Sequence, residues 1–267
     1  MTRVSSSWLA LREPADAAAR ATDLVERLKP HLPAGGLVIH DLGCGTGAMG
    51  RWLAPRLPGH EHWVLHDWDA DLLDVAVANL PGPEVTVEAK LSDITRLQPD
   101  ELTDATLITA SALLDMLTEE ELAGLVTACA GAGCPTLLTL SVVGRVELTP
   151  ADPLDRRVAD AFNAHQRRTT ERGRLLGPDA VRVTTDRFKQ LGAEVLIHPS
   201  PWRLGPSHAG LAVSWFTGWV RAACEQQAEL AAETDAYVRR RLAQATAGEL
   251  AVTVDHADLL ALPRSGG

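Results

Sequence analysis

The chain has 267 residues, 46% hydrophobic and 22% charged, with a formal charge of −10. A chain of this length buries enough surface to fold without disulfide or metal staples, and its acidic balance argues against a generally cationic face for nucleic acid or an anionic membrane. Only Lys29, Lys90 and Lys189 are lysines among 25 basic residues, so the arginine pairs reflect a compositional bias. Cys44, Cys129, Cys134 and Cys224 have no CxxC spacing, which fits free thiols in a reduced cytoplasmic compartment and no metal cage. The start, Met1 to Ala10, lacks an apolar signal core, and no run of about 18 apolar residues marks a membrane span.

In chain order, Glu13 to Lys29 is predicted as one amphipathic helix with Pro14 in its first turn. Leu37 to Leu42 is a buried strand running into glycines. A helix over Ala48–Leu57, a strand over His62–His66 and a helix over Ala70–Leu80, stopped by Pro81, follow. Val85–Ala89 and Ala105–Ala110 are the third and fourth strands, Glu119–Ala130 a helix, and Thr136–Val143 a fifth, central strand. Beyond it, Pro153–Arg172 and Pro178–Leu191 read as helices, Glu194–His198 as strand six, His208–Gln227 and Glu229–Ala245 as a helical pair, and Glu249–Val254 as strand seven. This alternation gives an α/β fold with a mostly parallel sheet covered on both faces. Its ligand crevice lies at the carboxyl ends of the first strands, where strand order reverses. One domain is expected, with residues 1–33 as a helical lid, 34–143 as the ligand-binding core and 144–267 as a second half with helical additions.

The strongest motif is Asp41-Leu42-Gly43-Cys44-Gly45-Thr46-Gly47. A glycine turn after a buried strand lets backbone approach a ligand because no Cβ intrudes. Asp67 ends strand two, placed to take both hydroxyls of a ribose, and Trp68 beside it offers a face for a base. Ser92 and Asp93 follow strand three, where a carboxylate can accept from an adenine amino group. The stretch Gly45-Thr46-Gly47-Ala48-Met49-Gly50 also fits the G-x-G-x-x-G of dinucleotide binding. That fingerprint, however, puts its first glycine directly on the strand, where this chain has Asp41.

On these residues the sequence resembles the class I S-adenosylmethionine-dependent methyltransferases, over about Leu37 to Val143. The D-x-G-x-G-x-G motif stands as Asp41, Gly43, Gly45 and Gly47, with the acids Asp67 and Asp93 in order behind it. The resemblance implies a Rossmann-like sheet of order 3-2-1-4-5-7-6 with an antiparallel seventh strand, S-adenosyl-L-methionine as cofactor, and methyl transfer. It implies cofactor contacts from Asp41, Gly43, Gly45, Gly47, Asp67, Trp68, Ser92, Asp93 and, after strand four, Ser111.

The acceptor side is read from chemistry. Asp115 follows strand four. Asn163, Gln166 and Arg167 share a helix face at i, i+3 and i+4, and His165 among them is a candidate general base. Trp202 and Arg203 stand on a proline-stiffened turn after strand six, whereas Trp215 and Trp219 read as core. Arg12, Asp16 and Arg20 either face the pocket or form an exposed ion pair worth little. His60, His62, His66 and His40 cluster without a metal-ligand pattern, so no metal is expected. The acidic chain and its helical additions point to a small-molecule acceptor, a specialised metabolite or heterocycle, in an enclosed pocket. The alternatives are an RNA methyltransferase using Arg156, Arg157, Arg167, Arg168, Arg172 and Arg174, a non-catalytic cofactor-binding regulator, and, more distantly, a nicotinamide dehydrogenase. Oligomeric state and the methylated atom are left open.

Overall fold

Ser5 accepts a hydrogen bond from the Trp8 amide and starts helix α1 (Ser6–Ala19), a turn or two before the expected Glu13. The computed structural model describes residues 4–80, 82 and 84–264, so the predicted stop at Pro81 lies outside the described residues. Pro14 sits inside α1 rather than in its first turn. The predicted single helix breaks after Ala19, and α2 (Thr22–Leu28) follows. The cause is tertiary: the Ala21 amide donates to the buried carboxylate of Asp258 at 2.8 Å instead of to a helical carbonyl.

The core then alternates as expected: β1 (Leu37–Leu42), α3 (Ala48–Leu53), β2 (Glu61–Asp67), α4 (Ala70–Ala78), β3 (Val85–Leu91), β4 (Leu107–Ser111), α5 (Glu119–Gly131) and β5 (Thr136–Thr149). The second half runs α6 (Asp155–Gln166), β6 (Thr169–Thr170), β7 (Gly173–Arg174), α7 (Ala180–Gln190), β8 (Glu194–Pro199), β9 (Trp202–Leu204), α8 (Ala209–Gln226), α9 (Ala231–Thr246) and β10 (Ala251–Leu262). The main sheet has the order β3-β2-β1-β4-β5-β10-β8, with β9 also paired to β10. This is the expected 3-2-1-4-5-7-6 arrangement, with β8 and β10 as strands six and seven and β10 antiparallel to both neighbours. The short hairpin β6–β7 and the strand β9 are additions that the apolar pattern did not signal.

Because both faces are covered, the strands read as continuous apolar runs. Alternate β10 residues show it: Leu259 and Ala261 pack with α5 and α7, while Leu260 and Leu262 pack with α2, α3 and α4. A third core lies beyond the sheet. There the far halves of β5 and β10, with β9, pack on α1, α6, α8 and α9 through Leu148, Val158, Trp202, Phe216 and Trp219. Strand seven was expected to end at Val254; β10 instead continues to Leu262.

The bend that separates sheet from extension is held by one residue. Leu140 adopts φ 58°, a conformation costly for a side chain bearing a Cβ, and β10 shifts register between Val254 and His256 and again between Ala257 and Leu259. Asp258, 1% exposed, accepts from the Leu140 amide at 2.8 Å, from the Ser200 hydroxyl and from the Ala21 amide. It joins the bulge, the turn after β8 and the N-terminal helices at a single carboxylate. Asp258→Ala leaves three buried donors unpaired. It is expected to destabilise the fold by about 3 kcal/mol or more, read as a lower urea midpoint with an unchanged slope.

Candidate active site

The glycine turn is fastened to the end of β2. The amides of Gly43 and Cys44 both donate to the His66 carbonyl, at 2.8 and 3.0 Å. The Gly45 amide donates to Asp67 Oδ2 at 2.9 Å, and the Asp69 amide to Asp67 Oδ1 at 3.0 Å. All three motif glycines have positive φ (68°, 56° and 81°). At Gly47, which caps α3 in a left-handed conformation, a Cβ would stand 3.2 Å from Ala76. At Gly45 it would meet Leu9 of α1 at 3.2 Å, so the turn leaves room only for backbone.

This turn floors a crevice of about 320 Å³, within the range of small-ligand sites. α1 forms one wall and is tethered three times. Glu13 pairs with Arg51 at 2.6 Å. Asp16 accepts from Trp202 Nε1 at 2.9 Å and from Arg12 at 2.9 Å. Arg20, 4% exposed, donates to Ser111 Oγ at 3.2 Å and Thr139 Oγ1 at 3.4 Å. Two buried charged atoms on the wall lack partners: Arg20 Nη1 and Asp41 Oδ2. Asp41 Oδ1 is occupied by Thr109 at 2.8 Å, and burial pushes the Asp41 carboxyl up to about 6.

Of the residues expected to hold the cofactor, Asp41, Gly43, Gly45, Asp67, Trp68 and Ser111 line this crevice. Gly47 lies behind it, shaping the turn. Ser92 and Asp93 are not on its walls. Ser92 Oγ contacts His66 Nδ1 at 3.1 Å, and Asp93 accepts from the Thr95 amide and hydroxyl at 3.0 and 2.7 Å, capping the turn after β3. Among expected acceptor residues, Asp115, Asn163, Gln166 and Trp202 line the crevice.

His165, Arg167 and Arg203 do not. His165 lies two residues past Asn163, about 200° around α6, and its Nε2 faces Glu225 of α8 at 3.3 Å. Arg167 turns to Asp179 at 2.6 Å. Arg203 is exposed because β9 alternates, burying Trp202 and Leu204 instead. His40 and His66 spend their ring nitrogens on each other at 3.0 Å, on Asp104 and on Ser92.

The sequence reading missed His256, which is 5% exposed, lines the crevice, and packs at a tilt against Trp202 with ring centroids 5.2 Å apart. It falls past the point where strand seven was expected to end. Trp215, expected in the core, also lines the crevice, whereas Trp219 behind it is 1% exposed.

Residues 39–135 match the family model described as "Methyltransferase domain". This core of the chain carries a methyltransferase domain. Its fold is similar to that of the cyclopropane synthase MmaA2 from Mycobacterium tuberculosis (13% identity, TM-score 0.51, covering 97% of this chain and 94% of that one). It is also similar to the YcgJ protein from Bacillus subtilis (12% identity, TM-score 0.50, covering 92% and 98%). A comparison with curated proteins returns no match.

The walls fit S-adenosylmethionine. Its amino-acid end carries an ammonium and a carboxylate, the complements of the unpartnered Asp41 Oδ2 and Arg20 Nη1. Asp67 still has a free lone pair on each oxygen for ribose hydroxyls, and Trp68, 41% exposed, stands beside it.

Two substitutions test this cradle by calorimetry with S-adenosylhomocysteine. Gly45→Val places a branched side chain at a positive φ against Leu9, and binding is expected to weaken at least tenfold in a folded protein. Asp67→Ala is expected to cost about 1–3 kcal/mol of binding, since it removes a charged acceptor and frees the Gly45 amide.

Proposed function

We propose that the protein transfers the methyl group of S-adenosylmethionine to a small-molecule acceptor, a specialised metabolite or heterocycle. The observation that carries this reading is the continuity of one crevice. It runs from the glycine turn to walls supplied by α1, α6, α8 and the β5–β10 extension, with Phe162, Trp202 and Trp215 on its lining. In this reading residues 1–33 cover the cofactor, 34–143 hold it, and 144–267 build the acceptor side. The cofactor supplies a methyl group already activated on a sulfonium. The protein's own residues then have to align the acceptor and exclude water. Asp41 and Arg20 take the amino-acid end, Asp67 the ribose and Trp68 the adenine face.

An RNA substrate has less support. Four of the six arginines proposed for it are paired with acids: Arg156 with Asp160, Arg157 with Glu233, Arg167 with Asp179 and Arg172 with Glu121. The charged residues lining the crevice are three arginines and five aspartates, a poor match for phosphate. Among the described residues no helix is long and apolar enough to cross a membrane.

Calorimetry with S-adenosylhomocysteine and with NAD tests the cofactor half: the first is expected to bind and the second not. Asp41 sets the pH dependence. Its carboxyl is raised to about 6, so it is ionised above that pH and neutral below. Affinity for the ligand's ammonium should fall as pH drops through about 6. Asp41→Asn should flatten that profile and weaken binding at pH 8. Mass spectrometry of metabolite extracts incubated with labelled cofactor tests the acceptor half.

A further inference from the structure

We infer that the acceptor is a planar molecule carrying a ring hydroxyl and a second hydrogen-bond donor, with Asp115 as the base that takes the hydroxyl proton, His256 Nδ1 bonded to the hydroxyl oxygen and Gln166 Oε1 accepting from the second donor beside the aromatic wall. This rests on the methyl-transfer reading above and assigns residues that reading leaves without roles. Three observations converge on the crevice away from the glycine turn.

The first is its wall. Phe162, Trp202 and Trp215 line it, and the buried Trp219 backs two of them, 6.5 Å from Phe162 and stacked on Trp215 at 5.3 Å. Flat aromatic faces suit a planar guest, since offset stacking adds to apolar burial.

The second is unmet hydrogen bonding. His256 is 95% buried, yet its Nδ1 has no partner. Gln166 Oε1 is also buried without a partner. Buried polar atoms are nearly always satisfied, so each points to a group that arrives with a ligand. Burial draws His256 down to about 3, leaving a neutral imidazole. An amide oxygen and a carboxylate only accept, and one hydroxyl carries one proton, so the guest must bring a donor for each.

The third is charge. Asp115 lines the same crevice, and burial pushes its carboxyl up to about 6. Arg12 of α1 acts electrostatically on both Asp115 and His256. Asp16 of α1, Arg20 just after it, Arg145 of β5 and Asp255 of β10 share the crevice. None of the arginines changes charge between pH 5 and 7.

The step balances without a further reagent. The hydroxyl oxygen gives an electron pair to the methyl carbon, and the carbon–sulfur bond breaks with its pair left on sulfur. The oxygen's proton, made acidic as the carbon–oxygen bond forms, passes to the Asp115 carboxylate and then to water. The products are a methyl ether, S-adenosylhomocysteine and a proton.

The test is calorimetry on protein saturated with S-adenosylhomocysteine, which keeps Asp41 ionised by its ammonium. The probes are 2-naphthol and 2-methylnaphthalene, equal in shape but not in hydrogen bonding. At pH 7.5 the naphthol is expected to bind at least tenfold more tightly, and this preference should shrink as pH falls through about 6. Asp115→Asn should weaken naphthol binding about tenfold and abolish its pH dependence. His256→Phe should weaken it similarly but keep the pH dependence. Both variants should bind S-adenosylhomocysteine as the parent does, which certifies their folding. Equal affinity for the two probes, no binding of either, or a preference that ignores pH overturns the inference alone. Failure of S-adenosylhomocysteine to bind removes the methyl-transfer reading and this inference with it.

Discussion

The carboxylate of Asp67 is the point on which the cofactor site depends. A glycine turn with three positive φ angles has little intrinsic reason to hold one shape. Here it is held from outside: Asp67 takes the Gly45 amide, and the neighbouring His66 carbonyl takes the amides of Gly43 and Cys44. Both fasteners sit at the end of β2, whose parallel pairing with β1 is fixed from Leu37–Glu61 to Leu42–His66. The register of two strands therefore sets the position of the turn. Asp67 acts twice, once on backbone and once, in the proposed function, on ribose.

A second constraint shapes the far end. Parallel strands end together, and ligands gather at their carboxyl ends. β5 and β10 instead continue past that edge, bent where Leu140 takes a positive φ and β10 bulges. Such strain persists only where the surroundings over-determine it. Asp258 supplies that determination, and it also breaks the N-terminal helix at Ala21. The same carboxylate thus orients the strands that wall one side of the crevice and releases Arg20 from the helix to face the other.

The core was legible because its signals are local. Apolar runs with turn residues between them mark buried parallel strands, and the D-x-G-x-G-x-G turn with Asp67 marks the cofactor end. The acceptor end was legible only in part, because side-chain direction there depends on tertiary packing. Asn163, Gln166 and His165 look equivalent in a polar hexapeptide, yet α6 turns the first two inward and gives His165 to Glu225. Trp202 and Arg203 are adjacent, yet a three-residue strand sends them to opposite sides. His256 carried no local signal, since it lies inside a strand twice as long as its apolar pattern suggested.

The two ends of the crevice differ in how they hold charge, and this orders the chemistry. At the cofactor end Arg20 Nη1 and Asp41 Oδ2 are each left without a partner, a need that a zwitterion meets and a neutral molecule does not. At the acceptor end Arg12 is already neutralised by Asp16, His256 is uncharged at neutral pH, and burial holds Asp115 near the point where it can gain or lose a proton. A charged acceptor would bring a desolvation cost. A neutral acceptor brings none, and the cation it must face is the cofactor's sulfonium, whose charge is consumed when the methyl group leaves. One proton must then be removed, and Asp115 is a carboxylate of the crevice poised near neutrality to take it.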